Sequence, residues 1–96
     1  MIYAVQEKAS GRLLACSQIN GYGLPYYGIL LWESAPEEAE IAEALARAAV
    51  DSAPESWLPV ELIEHQAKMA NVKLRNDPGR QVFLQGDALV ASRTES

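Results

Sequence analysis

The spacing of apolar residues changes along this chain, and each change marks an element. Near the N-terminus the period is two: Tyr3 and Val5 alternate with Ile2 and Ala4, and Leu14, Cys16 and Gln18 share one side of a second segment. Residues 2 to 7 and 12 to 18 therefore read as a β-hairpin closed around Ala9-Ser10-Gly11, where Ser-Gly is good turn chemistry. Asn20-Gly21 is a second turn signal, and Gly23 with Pro25 keeps the following loop irregular. Residues 26 to 32 read as a third strand. Its near-continuous apolar run implies cover on both faces, as a central strand would have.

From residue 34 the period lengthens. Ser34-Ala35-Pro36-Glu37 has the form of a capping box, with Ser34 as N-cap and Pro36 tolerated in the first turn. The helix it predicts runs to about Asp51. Ile41, Leu45, Ala48 and Ala49 form the buried stripe, while Glu37, Glu40, Glu43 and Arg47 point outward, Glu43 and Arg47 as an i,i+4 pair. Residues 52 to 56 are a short connector. After it two readings compete. Leu58, Val60 and Leu62 alternate like a strand, whereas Val60, Ile63, Ala67, Ala70 and Leu74 recur at helical spacing with Pro59 allowed at the first position. The longer periodic run favours a helix over 59 to 75. Asp77-Pro78-Gly79 ends it. Residues 82 to 84 and 88 to 90 flank Gly86-Asp87 as a two-residue hairpin, and residues 92 to 96 are expected to fray.

The expected fold class is α+β: an antiparallel or mixed sheet of about five strands with two helices packed on one face, in the order β-β-β-α-α-β-β. Ninety-six residues allow a single domain, with roughly 60 to 65 percent of the unfolded surface buried. The apolar fraction of 49 percent is generous but rich in alanine, so some apolar groups should stay exposed as a partner or oligomer surface. The first eight residues lack a basic region followed by a long apolar core, and no apolar run approaches the roughly 20 residues a bilayer span needs. A cytoplasmic protein without membrane contact is expected.

Charge sharpens this picture because it is uneven. The net charge is −5, but residues 33 to 64 alone carry nine acids against Arg47. Such a middle third disfavours direct nucleic-acid or anionic-membrane binding and would steer a basic partner toward it. On a helix, carboxylates three residues apart are about 4.5 Å apart along the axis. That row roughly imitates phosphates, which advance about 3.4 Å per residue along a DNA strand. Lys68, Lys73, Arg75 and Arg80 cluster near the end of the second helix, where cations suit the negative helix terminus without any ligand.

Candidate chemistry is thin. Gly21, Gly23 and Gly28 do not complete a dinucleotide fingerprint, since Tyr26 stands where glycine is required, and no Gly-Lys-Ser/Thr follows. His65, the single histidine, has Glu61 and Glu64 beside it but no second histidine at ligand spacing. Cys16, the single cysteine, excludes an internal disulfide and, on an alternating strand, reads as packing rather than a nucleophile. No catalytic, metal or cofactor residue is assigned. What stands out is the Gly-Tyr stretch over residues 18 to 32, with three of the four tyrosines and Trp32. Rigid aromatics on a shaped loop are common contact residues.

The sequence therefore reads as a non-catalytic protein-binding module. Its expected contacts are Tyr22, Tyr26 and Tyr27 on the loop and Glu37, Glu40 and Glu43 on the acidic helix, set against a protein partner with a basic surface. No motif ties the chain to a family. In size and charge it resembles the accessory proteins of phages and mobile elements. Among them are inhibitors that occupy the nucleic-acid sites of host defence complexes, and the resemblance implies an anti-defence inhibitor. Two alternatives stay open: a small-molecule-binding or enzymatic domain with a pocket beneath the Gly-Tyr loop, using Cys16 or His65, and a self-assembling subunit, such as a homodimer, whose aromatic strand pairs with its own copy.

Overall fold

Strands form where the alternation places them, but most find partners distant in sequence. The computed structural model describes residues 2–93 and contains β1 (Ile2–Glu7), β2 (Ala15–Ile19), β3 (Pro25–Ile29), α1 (Glu38–Arg47), a 3-10 turn (Pro54–Ser56), β4 (Trp57–Leu62), α2 (Glu64–Leu74), β5 (Arg80–Gln85) and β6 (Ala88–Arg93). The class is α+β, with six strands in three two-stranded antiparallel ladders, β1 with β4, β2 with β3, and β5 with β6.

Single bridges stitch the ladders together. The turn after β1 closes as expected, Glu7 N–H donating to Arg12 C=O at 2.8 Å and Gly11 N–H to Glu7 C=O at 2.8 Å. Only one bridge, Gln6 with Leu13, then continues the hairpin. Residues 11 to 14 instead lie between β1 and β5: Leu14 N–H reaches Val5 C=O at 3.1 Å, while Leu13 N–H reaches Val82 C=O at 2.9 Å. Gly11 makes this insertion feasible. Its φ is +81°, and a Cβ there would stand 2.8 Å from the Leu84 carbonyl oxygen, so only glycine fits both demands. On its far side β1 bonds Trp32, Tyr3 N–H to Trp32 C=O at 2.8 Å and the reverse at 2.8 Å.

The helices lie on opposite faces of this strand layer, not on one face as the sequence suggested. Successive strand residues point to opposite faces. Ala4, Leu13, Ala15 and Ile29 join Ala67, Ala70 and Leu74 of α2 in one buried cluster. Their neighbours Val5, Leu14, Cys16 and Leu30 join Ile41, Ala44 and Leu45 of α1, with Trp57, in another. Apolar residues run consecutively at 13 to 16 and at 29 and 30 because both faces are covered. Each leucine so buried contributes roughly 1.5–3 kcal/mol. The five-strand single sheet is likewise replaced by three linked ladders.

Three helix boundaries moved. Residues 57 to 62 form a strand rather than the start of a helix, because Val60 and Leu62 face the α2 cluster while Trp57 faces the α1 cluster. The longer helical count had borrowed Val60 and Ile63 from outside the helix; Gln66 Oε1 accepts the Ile63 N–H at 3.0 Å, starting α2 at Glu64. The first helix starts three residues later than its Ser34 signal. Glu37 is the N-cap, and Glu40 at the third helical position accepts the Glu37 N–H at 3.2 Å. Pro36 and Ile41, both buried, occupy the two positions of a hydrophobic staple. The helix stops at Arg47, not Asp51. Ala49 N–H bonds Ala46 C=O and Val50 N–H bonds Leu45 C=O, with Ala49 at φ +56°. That is a Schellman close with alanine where glycine is usual, and Ala49 is exposed rather than part of the buried stripe. The C-terminal hairpin around Gly86-Asp87 forms as expected. Of the expected frayed tail, residues 94 to 96 lie outside the described residues.

Candidate functional site

The β2–β3 ladder ends in a turn organised by one side chain. Asn20 Oδ1 accepts the N–H groups of Tyr22 at 2.8 Å and Leu24 at 3.0 Å. The Asn20 backbone closes the same turn, donating to Leu24 C=O at 2.9 Å and accepting from Gly23 N–H at 3.0 Å. Asparagine favours such side-chain-to-backbone turns. The result is a shaped tip carrying three apolar side chains into solvent: Ile19 is 68%, Tyr22 90% and Leu24 60% exposed.

The other two tyrosines of the loop have structural work. Tyr26 and Gly28 lie on one side of β3, and the Tyr26 ring covers the glycine: a Cβ at Gly28 would meet Tyr26 Cε2 at 3.0 Å. The Tyr26 hydroxyl donates to Gln18 Oε1 at 3.1 Å across the ladder. Tyr27, on the opposite side, packs against the α2 cluster. Burial raises its hydroxyl pKa, with Arg12 opposing and Cys16 adding to the rise. Both are half-buried. Of the three tyrosines expected at the contact surface, Tyr22 is the fully presented one.

The ladder is fastened to α2 along its outer edge. Asn71 Oδ1 accepts the Ile29 N–H at 2.9 Å, and Asn76 Oδ1, just past the helix, accepts the Tyr27 N–H at 2.6 Å. These are alternate amides of an edge strand, which would otherwise be open to another chain. The clamps fix β3 and so the direction in which the tip projects.

The acidic residues sit elsewhere. Glu37, Glu40 and Glu43 are exposed on α1, but Glu40 is partly committed to the helix start. The expected Glu43–Arg47 ion pair does not form; among the described residues the ion pair present is Arg93–Asp77, at 2.9 Å. Glu40, Glu43, Ala44 and Arg47 instead border a shallow cavity with half-buried Trp32, about 120 Å³ in volume. Tyr26 faces the same side of the strand layer as α1, whereas Tyr27 faces α2. No hydrogen bond or ion pair among the described residues joins the tip to α1. The two halves of the expected surface are thus separate features of one molecule.

The cavity beside Trp32 is well below the roughly 300 Å³ usual for a ligand site and is not beneath the Gly-Tyr loop. Cys16 is buried in the α1 cluster, and burial raises its pKa, with Arg47 opposing; a thiol held neutral is a poor nucleophile. His65 lies exposed on α2, beyond the opposite face of the layer, so the two are not assembled as a nucleophile and base. No group of three metal-ligating side chains occurs among the described residues, and no described helix is long and apolar enough to cross a membrane.

Sequence reading missed Ile19 and Leu24 as tip residues. Their signal was local: each flanks the Asn20-to-Gly23 turn, where a strand has run past its covering helices. It also missed Asn71 and Asn76, whose partners are 42 and 49 residues away. Comparison with protein-family models, with curated proteins and with solved structures gave no match.

Proposed function

We propose that the chain is a non-catalytic protein-binding module whose primary contact is the β2–β3 tip, with the acidic face of α1 selecting a basic partner surface. One observation carries the reading: Ile19, Tyr22 and Leu24 are presented together on a turn that Asn20 holds in shape. A monomeric domain gains nothing from displaying three large apolar groups together on one exposed turn, and a tyrosine there presents large area at low entropic cost. The separation of Cys16 from His65 favours binding over catalysis. Glu37, Glu40 and Glu43 fit a secondary role, because exposed charges set association rate and partner choice more than final affinity.

An inhibitor of the anti-defence kind, cytoplasmic and occupying a basic site on its target, is the form of this reading that the acid row supports. Tyr22→Ala combined with Leu24→Ala tests it. Both side chains are exposed, so thermal stability should be kept, while loss of a central aromatic contact of about 2 kcal/mol weakens partner binding roughly 30-fold. Unchanged binding would remove the tip from the contact.

A further inference from the structure

Four strands among the described residues, β2, β3, β4 and β6, have an edge with no strand bonded to it, and those of β3 and β4 are blocked. The outward amides of β3 are taken by Asn71 and Asn76. On β4 the outward register falls on residues 57, 59 and 61, because Tyr3, Val5 and Glu7 of β1 turn toward residues 12 to 14 and Trp32. Pro59 therefore stands in the middle of that edge, with no N–H to offer. These are two different devices for one end, preventing strand addition.

The edges of β2 and β6 carry neither device, and of the two only β6 has opposite charges, Asp87 and Arg93, at the ends of its outward register. Val82 and Leu84 of β5 bond residues 13 and 11. Alternation then directs Gln81, Phe83 and Gln85 to their β6 partners Ser92, Val90 and Ala88, and turns Leu89 and Ala91 outward. No hydrogen bond of the Leu89 or Ala91 backbone to another element occurs among the described residues. Leu89 packs its side chain on the α2 cluster, whereas Val90, on the other face, is 43% exposed.

The geometry points to a second copy of this chain as the occupant, its β6 added antiparallel to this one about a two-fold axis at Val90. Such pairing is self-complementary by construction. With Val90 facing Val90 of the partner subunit, Leu89 exchanges backbone bonds with Ala91 of the partner subunit, and Ala88 faces Ser92 of the partner subunit. The same register sets Asp87 opposite Arg93 of the partner subunit at both ends. Arg93 already holds Asp77 at 2.9 Å but keeps 71% of its side chain exposed, so it can serve a second carboxylate. β-branched and opposite-charge cross-strand pairs are both favourable. The interface uses none of Ile19, Tyr22, Leu24 or the α1 acids, so it stands whether or not those residues bind a partner.

Sedimentation equilibrium on the full chain should give a monomer–dimer equilibrium, with hydrogen exchange at the Leu89 and Ala91 amides slowing as concentration rises. Ala91→Pro removes only an outward donor and should shift the mass from dimer to monomer while circular dichroism stays native. Val90→Lys, at an exposed side chain, should do the same by placing like charges on the axis, and Asp87→Lys should weaken the dimer in a salt-dependent manner. A chain that stays monomeric at millimolar concentration overturns the inference. So does a dimer that survives Ala91→Pro and Val90→Lys, and so does an edge that pairs only with a foreign strand.

Discussion

Replacing Asn71 by alanine tests how the tip is held. The substitution deletes the acceptor for the Ile29 N–H, now bonded at 2.9 Å, within a residue only 2% exposed. Water cannot readily replace a partner there, so the amide bears the cost of an unmet buried donor, about 1–3 kcal/mol. For a domain of this size each kcal/mol moves Tm by about 4–8 °C. The expected loss is thus about 2 kcal/mol, measured by urea unfolding followed through Trp32 and Trp57. Asn71→Asp retains an acceptor oxygen and should keep most of the stability. A coupled test sharpens the reasoning, since a Cβ at Gly28 would stand 2.9 Å from Asn71 Oδ1 and 3.0 Å from the Tyr26 ring. Gly28→Ala should destabilise, and removing Asn71 as well should relieve part of that clash, giving a coupling of at least about 0.5 kcal/mol. If Asn71→Ala lies within about 0.5 kcal/mol of wild type, the edge clamp is not what fastens β3.

Other expectations follow from single residues. Ala49 holds φ at +56° in the α1 close; glycine relieves about 1–2 kcal/mol of left-handed strain against a smaller unfolded-state entropy cost, so Ala49→Gly should raise stability by about 0.5–1 kcal/mol in a denaturant titration. Glu40→Ala removes the acceptor for the Glu37 N–H and should lower stability by about 1 kcal/mol. Cys16 has a folded pKa raised by burial. Its neutral form favours the folded state, so that contribution is complete below the unfolded pKa of about 8.5 and declines as pH rises above it. The urea midpoint should fall as pH rises above about 8.5, and fall less in Cys16→Ala; equal slopes would show that other groups govern alkaline unfolding.

Local signals carried much of the fold. The Gly86-Asp87 hairpin, the turn at Gly11 and the buried stripe of Ile41 and Leu45 were legible because each depends on residues within one or two turns of one another. What eluded the sequence depended on partners far along the chain. Residues 57 to 62 satisfy both periods, and only β1, more than fifty residues earlier, makes them a strand. The apolar run at 26 to 32 did signal two covered faces, whereas residues 13 to 16, read as alternating, are also covered on both, and alternation cannot say which helix covers which. Of the expected contact residues, the exposure of Tyr22 was legible from its glycine-flanked turn. Tyr26 and Tyr27 were drawn into structural roles by Gly28, Gln18 and the α2 cluster, and Asn71 and Asn76 gave no local sign that they hold β3.

Parallel affinity capture from the native cell, with the wild-type chain and the Tyr22→Ala/Leu24→Ala chain as baits, tests the binding reading most directly. Quantitative mass spectrometry should recover a partner with a basic surface from the wild type and lose most of it from the folded double variant. Equal recovery by both baits, with the variant's native Tm confirmed, would contradict the tip as the contact site.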